Sequence, residues 1–170
     1  MTLLPIHFIS GGIMVDKTEV TIADVARYIL DQFGQMTTMK LQKLCYYTQA
    51  WHLASFQRPL FRADFAAWDN GPVARELYDL HRGKYSVTAQ EVPGRDVLSS
   101  NTKEFIDSIV GSYIKFSGDE LSSITHMEDP WKGAMEDSQK SGFANALISK
   151  SSMQKFYASL DGSNSQSIEM

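Results

Sequence analysis

Apolar residues recur at spacings of three and four in blocks along much of the chain, and turn residues separate the blocks. Thr21, followed three positions later by Asp24, resembles a capping box with Asp in place of Glu. Ile22, Val25, Ala26, Ile29, Leu30 and Phe33 continue from it at helical spacing, and Gly34 stops the run. Thr37-Thr38 opens a longer helix, read as amphipathic. Leu41, Leu44, Cys45, Thr48, Trp51 and Ser55 fall on one stripe, Lys40, Lys43 and Tyr47 line its flanks, and Arg58-Pro59 ends it. Phe61, Ala63, Phe65 and Ala67 then alternate with other residues in a period of two, which permits a short extended segment. Asn70-Gly71-Pro72 reads as a turn whose proline suits the first position of a helix. Val73, Leu77, Leu80 and His81 continue that helix until Arg82-Gly83 closes it.

Periodicity lapses over residues 86–98, which read as a surface loop with room for a brief strand at Tyr85–Val87. Asn101 with Glu104 opens a helix carrying Phe105, Ile106, Ile109, Val110, Tyr113 and Ile114, with Gly118 as its stop. Ser117 with Glu120 forms a capping box for a short helix holding Leu121 and Ile124. Asp129-Pro130 starts another with Trp131 in its first turn, and Ser151 with Gln154 opens the last, ending at Leu160. The fold class expected is mainly α: a single compact multi-helix domain with at most a short β element near residues 60–68 and 85–92. Its boundaries are residues 16–160, with 1–15 a flexible N-terminal arm and 161–170 a disordered tail rich in Gly, Ser, Asn and Gln.

Charge and cysteine usage narrow the partners. Across 170 residues, 16 Lys and Arg face 20 Asp and Glu, for a net charge of -4. The first 85 residues carry +1 and the remainder -5. Proteins that must grip duplex DNA are usually basic, so nucleic acid is not the partner this balance favours. A single cysteine, Cys45, in an apolar segment forms no internal disulfide and fits a reducing cytoplasm. The uncharged start lacks a basic leader region and is too short to span a membrane.

Motifs for catalysis or cofactor binding are missing. The four histidines are scattered, no Cys-x-x-Cys or His-Glu-x-x-His spacing occurs, and Cys45 and His52 stand two helical turns apart, about 10 Å along the axis, too far to share one zinc. No serine lies in a nucleophile elbow, and neither Gly11-Gly12 nor Asn70-Gly71 has phosphate-loop spacing. The expectation is therefore no catalytic residues, no metal and no cofactor. Between Thr38 and Tyr85, however, aromatic residues interleave with Lys and Arg, the mixture over-represented at protein interface hot spots. Single-stranded nucleic acid could use the same side chains, but Asp64, Asp69, Glu76 and Asp79 interrupt any stripe that would follow a phosphate backbone.

Four stretches together resemble a known family: Met36-Thr37-Thr38-Met39-Lys40-Leu41-Gln42-Lys43-Leu44-Cys45-Tyr46-Tyr47-Thr48-Gln49-Ala50-Trp51-His52; Arg58-Pro59-Leu60-Phe61; Ala67-Trp68-Asp69-Asn70-Gly71-Pro72-Val73; and Glu76-Leu77-Tyr78 with His81-Arg82-Gly83. The family is the Panacea domain, the SocA-like, phage-associated antitoxins, and Thr125-His126 with Asp129-Pro130-Trp131 is similar to its second signature. The likeness spans roughly residues 20–160, with Cys45 where an aliphatic residue is expected. It implies a helical, non-enzymatic, cytoplasmic protein that neutralises a toxin encoded by a neighbouring gene through direct protein–protein binding, with some relatives delivering the toxin to a cytoplasmic protease. Within the motif, Leu41, Leu44, Trp51, Leu77 and Trp131 read as packing. The expected partner-binding surface comprises Lys40, Lys43, Tyr47, Trp68, Asn70, Arg75, Tyr78 and Arg82. A nucleic-acid-binding regulator and a small hydrolase are the alternatives.

Overall fold

The computed structural model describes residues 19–142 and 146–169, with side chains through Asp161. The expected arm at 1–15 lies outside the described residues. In chain order the elements are α1 (Ile22–Phe33), β1 (Met36–Thr37), α2 (Thr38–Phe56), β2 (Phe65–Trp68), β3 (Gly71–Val73), α3 (Arg75–His81), β4 (Ser86–Val87), a 3-10 turn (Ala89–Glu91), α4 (Ser100–Tyr113), α5 (Gly118–His126), α6 (Asp129–Ser141), β5 (Leu147–Ile148) and α7 (Lys150–Glu169). The fold is mainly α, as the periodicity predicts. Local chemistry explains most helix starts. Thr21 and Ser117 form complete capping boxes with Asp24 and Glu120, Thr37 accepts a hydrogen bond from the Lys40 N–H, and a proline stands in the first turn of α6.

α2 is the axis of the molecule. It packs against α7, α5, α4, α1 and the β2–β3 hairpin, so all ten residues from Leu41 to Ala50 are buried. The expected amphipathic stripe is thus corrected: over Leu41–Ala50 the helix is surrounded by neighbours and has no solvent face, and Lys43 and Tyr47 lie inside, at 1% and 0% exposure, instead of on flanks. The polar side chains it carries inward are paired with one exception. Gln49 bonds the backbone of Leu60 and Phe61, Thr48 bonds the Leu44 carbonyl, and His52 Nδ1 lies 2.8 Å from the Arg58 carbonyl oxygen.

The β content exceeds the two short elements expected. β2 is the middle strand of an antiparallel sheet ordered β3-β2-β5, with Ala67 opposite Pro72 and Phe65 opposite Ile148, and β1 pairs with β4. Phe65, Ala66 and Ala67 are all buried, so β2 is covered on both faces and does not continue the alternation begun at Phe61. Pro72 does not start a helix. It lies in the edge strand β3, where a missing N–H is tolerated, and α3 begins at Arg75. Two further boundaries shift. Ser99, not Asn101, caps α4, and Gly118 opens α5 instead of ending α4. The last helix runs on to Glu169, past the expected stop at Leu160; no proline interrupts it.

Candidate functional site

A cavity of about 600 Å³ opens where the first turns of α2, the β2–β3 hairpin, α3 and α6 meet. Four of the eight surface candidates line it: Lys43 from α2, Trp68 and Asn70 from the hairpin, and Tyr78 from α3. Two more flank it. The Arg75 guanidinium lies 5.3 Å from the Trp68 ring centroid, and that of Arg82 lies 5.5 Å from the Tyr78 ring. Trp68 and Tyr78 meet edge to face at 5.1 Å, so the two arginines and two aromatic rings form one continuous surface.

The other two candidates do not line the cavity. Lys40 Nζ donates to the Ile114 carbonyl at 2.6 Å, tethering α2 to the end of α4. Tyr47 stacks on Tyr113 and donates its hydroxyl to Glu128 Oε1 at 2.7 Å, inside the core.

At the cavity wall, Gln42 is fully committed. Its Oε1 accepts from the Ala74 N–H, its Nε2 donates to the Ala74 carbonyl, and Nε2 also lies 3.0 Å from His81 Nε2. The amide can only donate there, so His81 Nε2 is the acceptor and its proton sits on Nδ1. Burial, with the nearby Lys43 charge acting in the same direction, holds His81 below the usual histidine range and keeps it neutral.

Lys43 is the exception among the inward polar groups of α2. Among the described residues its ammonium has neither hydrogen bond nor ion pair, and burial pulls it down to about 8 from the ordinary 10.5. The hairpin passes directly over it. Gly71 has a φ of 109°, and a Cβ there would stand 2.6 Å from Lys43 Cε and 2.9 Å from the Thr125 hydroxyl oxygen. Glycine is therefore required twice, for the backbone angle and for the approach to the lysine stem. Trp68 adds an indole N–H that is buried and unpaired among the described residues, while its carbonyl accepts from Trp131 Nε1 at 2.9 Å.

The sequence reading missed Gln42 and His81, although each has a local signal: Gln42 adjoins Lys43, and His81 stands one turn beyond Tyr78 on α3. Met135 and Ser138 come from α6, more than fifty residues away in sequence, and only tertiary packing brings them to the cavity. Among the described residues no group of three His, Cys, Asp or Glu side chains could hold a metal ion, and no helix is long and apolar enough to cross a membrane.

No curated protein and no solved structure matches the chain. A family model, the SocA-like antitoxin Panacea domain, matches residues 41–132, a shorter span than the 20–160 over which the motifs resemble it. That span contains all of the cavity's residues except Thr38, Met39 and the two from α6. The chain belongs to the SocA-like antitoxin family and carries its Panacea domain.

Proposed function

We propose that this protein is the antitoxin of a toxin–antitoxin pair and neutralises its cognate toxin, the product of a neighbouring gene, by binding it directly without turning over any substrate. The observation that carries the reading is the grouping of Trp68, Tyr78, Arg75 and Arg82 around one open cavity within the segment that matches the antitoxin family. Paired aromatic rings under guanidinium groups offer large contact area, little conformational entropy to lose and directional donors, the traits of an interface hot spot. The flanking acidic side chains Asp69, Glu76 and Asp79 disfavour a nucleic-acid backbone on the same surface.

The test is co-expression of the chain with the adjacent open reading frame. Growth arrest by that product should be relieved, and the two proteins should co-purify. Exchanging both exposed arginines, Arg75→Glu with Arg82→Glu, should weaken the complex at least about tenfold. The same exchange should change the unfolding free energy by only about 0.5 kcal/mol, because neither guanidinium is buried. Full neutralisation by the double variant would remove this face from the interface.

A further inference from the structure

An unpaired ammonium kept inside a protein is costly, because water solvates it better than any uncharged cavity wall. Lys43 is retained under that cost at 1% exposure, in a helix whose neighbouring inward polar groups all have partners, and beneath a glycine that leaves room for its stem and nothing more. It lines the open cavity together with Trp68, whose indole N–H also lacks a partner among the described residues. We propose that the cavity is an anion-receiving pocket in which Lys43 pairs with a single carboxylate, an Asp or Glu side chain that the toxin inserts between Trp68 and Tyr78.

The stoichiometry of charge favours a carboxylate. One ammonium matches one monoanionic group, whereas His81 is neutral and already engaged with Gln42. A multiply charged phosphate would leave negative charge unmatched, and Asp69 at the cavity would repel it more strongly than a monoanion. The aromatic walls then seat the methylene stem of the inserted side chain. Arg75 and Arg82, lying over the rings of those walls, add positive charge for the approach. This assignment rests on the toxin-binding reading and adds to it the chemistry of the central contact.

The test uses Lys43→Met, nearly isosteric and uncharged, with calorimetric titration against the co-expressed toxin and thermal unfolding of the free chain. Methionine should weaken toxin binding at least about tenfold while raising the unfolding midpoint of the free protein, since it removes a buried charge that has no partner among the described residues. A lower midpoint with unchanged affinity would make Lys43 structural and overturn the proposal.

A second readout does not depend on the variant. Acetylation of Lys43 by a small activated ester, followed by mass spectrometry, should be slow in the free protein, where the side chain is 1% exposed, and slower still in the complex; equal rates would overturn the proposal. Alanine substitution of each toxin Asp and Glu should find one whose loss is non-additive with Lys43→Met, and no coupled carboxylate would also overturn it. Inorganic phosphate or acetate that stabilises the wild type but not Lys43→Met would reassign the pocket to a soluble anion, against the proposal. If wild-type protein fails to bind the toxin at all, the antitoxin reading falls; if it binds and Lys43→Met binds equally, only the carboxylate pocket falls.

Discussion

At the level of single residues, two carboxylates, Asp24 buried and Glu128 half-buried, respond to their surroundings in opposite directions. Asp24 is fixed by the Arg95 guanidinium, its Oδ2 lying 2.8 Å from Nη2, and by the N–H groups of Arg95 and Thr21. Burial alone would raise its carboxyl, but these donors outweigh burial and hold it below the ordinary 3.8. Its contribution to stability is therefore present above the unfolded value and is lost as pH falls through the folded one. Asp24→Asn should cost about 1–3 kcal/mol at pH 7 and less at pH 2, as read by denaturant titration at both values. Glu128 is the reverse. Burial pushes it above the ordinary 4.5 even though Tyr47 and Tyr157 each donate to Oε1 at 2.7 Å. Stability from Glu128 is complete below that ordinary value and is lost as pH rises through the raised one. Glu128→Gln keeps an acceptor for both hydroxyls without a charge, so its unfolding midpoint should equal or exceed wild type at pH 8 and lose that advantage at pH 4. A midpoint well below wild type at pH 8 would mean that the ionised carboxylate is needed. Removing a donor is worse, because the carboxylate loses a partner inside the core: Tyr157→Phe should cost about 1–3 kcal/mol.

Among the elements, helix ends were legible in the sequence wherever a side chain caps them. Thr21 with Asp24 and Ser117 with Glu120 form the boxes their spacing predicts, and Gly34 stops α1 with a φ of 89°. The hairpin was only half legible. Asn70-Gly71 marks a turn, but strands of four and three residues leave too short a run for alternation to register, and a proline beside a glycine suits a helix start equally well. What decides for the strand is long-range pairing with β2 and the approach of Gly71 to Lys43, neither of which leaves a local signal. The same approach makes the hairpin fragile to one methyl group. Gly71→Ala should destabilise the protein by at least about 1 kcal/mol, since it strains a positive φ and collides with the lysine stem. Combining it with Lys43→Ala should relieve the collision but not the backbone strain. Denaturant curves of the two single variants and the double should therefore show a positive coupling; strict additivity would mean that the hairpin moves away from α2 without cost.

For the molecule as a whole, burying α2 on every side has two effects. It obscures the site in the sequence, because a helix wrapped by neighbours carries polar residues at positions that read as solvent flanks; Lys43 and Tyr47 lie inside for that reason, while Trp68, Arg75, Tyr78 and Arg82, on shorter elements, lie at or beside the open cavity. It also ties together segments distant in sequence, since α1, α4, α5, α7 and the hairpin all pack on the same helix. A helix at the hub cannot open alone, because releasing it strips the packing from all of them at once. Cys45, on α2 and fully buried with its thiol pushed up by burial, reports on this directly. Labelling of the native protein with a thiol reagent should proceed only through global unfolding. Its free energy and denaturant slope should match those of equilibrium unfolding, and that slope should be unaffected by Arg75→Glu at the surface. A shallow slope, with Cys45 reacting while the far-ultraviolet helical signal persists, would show instead that the cavity end of α2 opens as a separate unit, and the rigid placement of Lys43 beneath the hairpin would not hold.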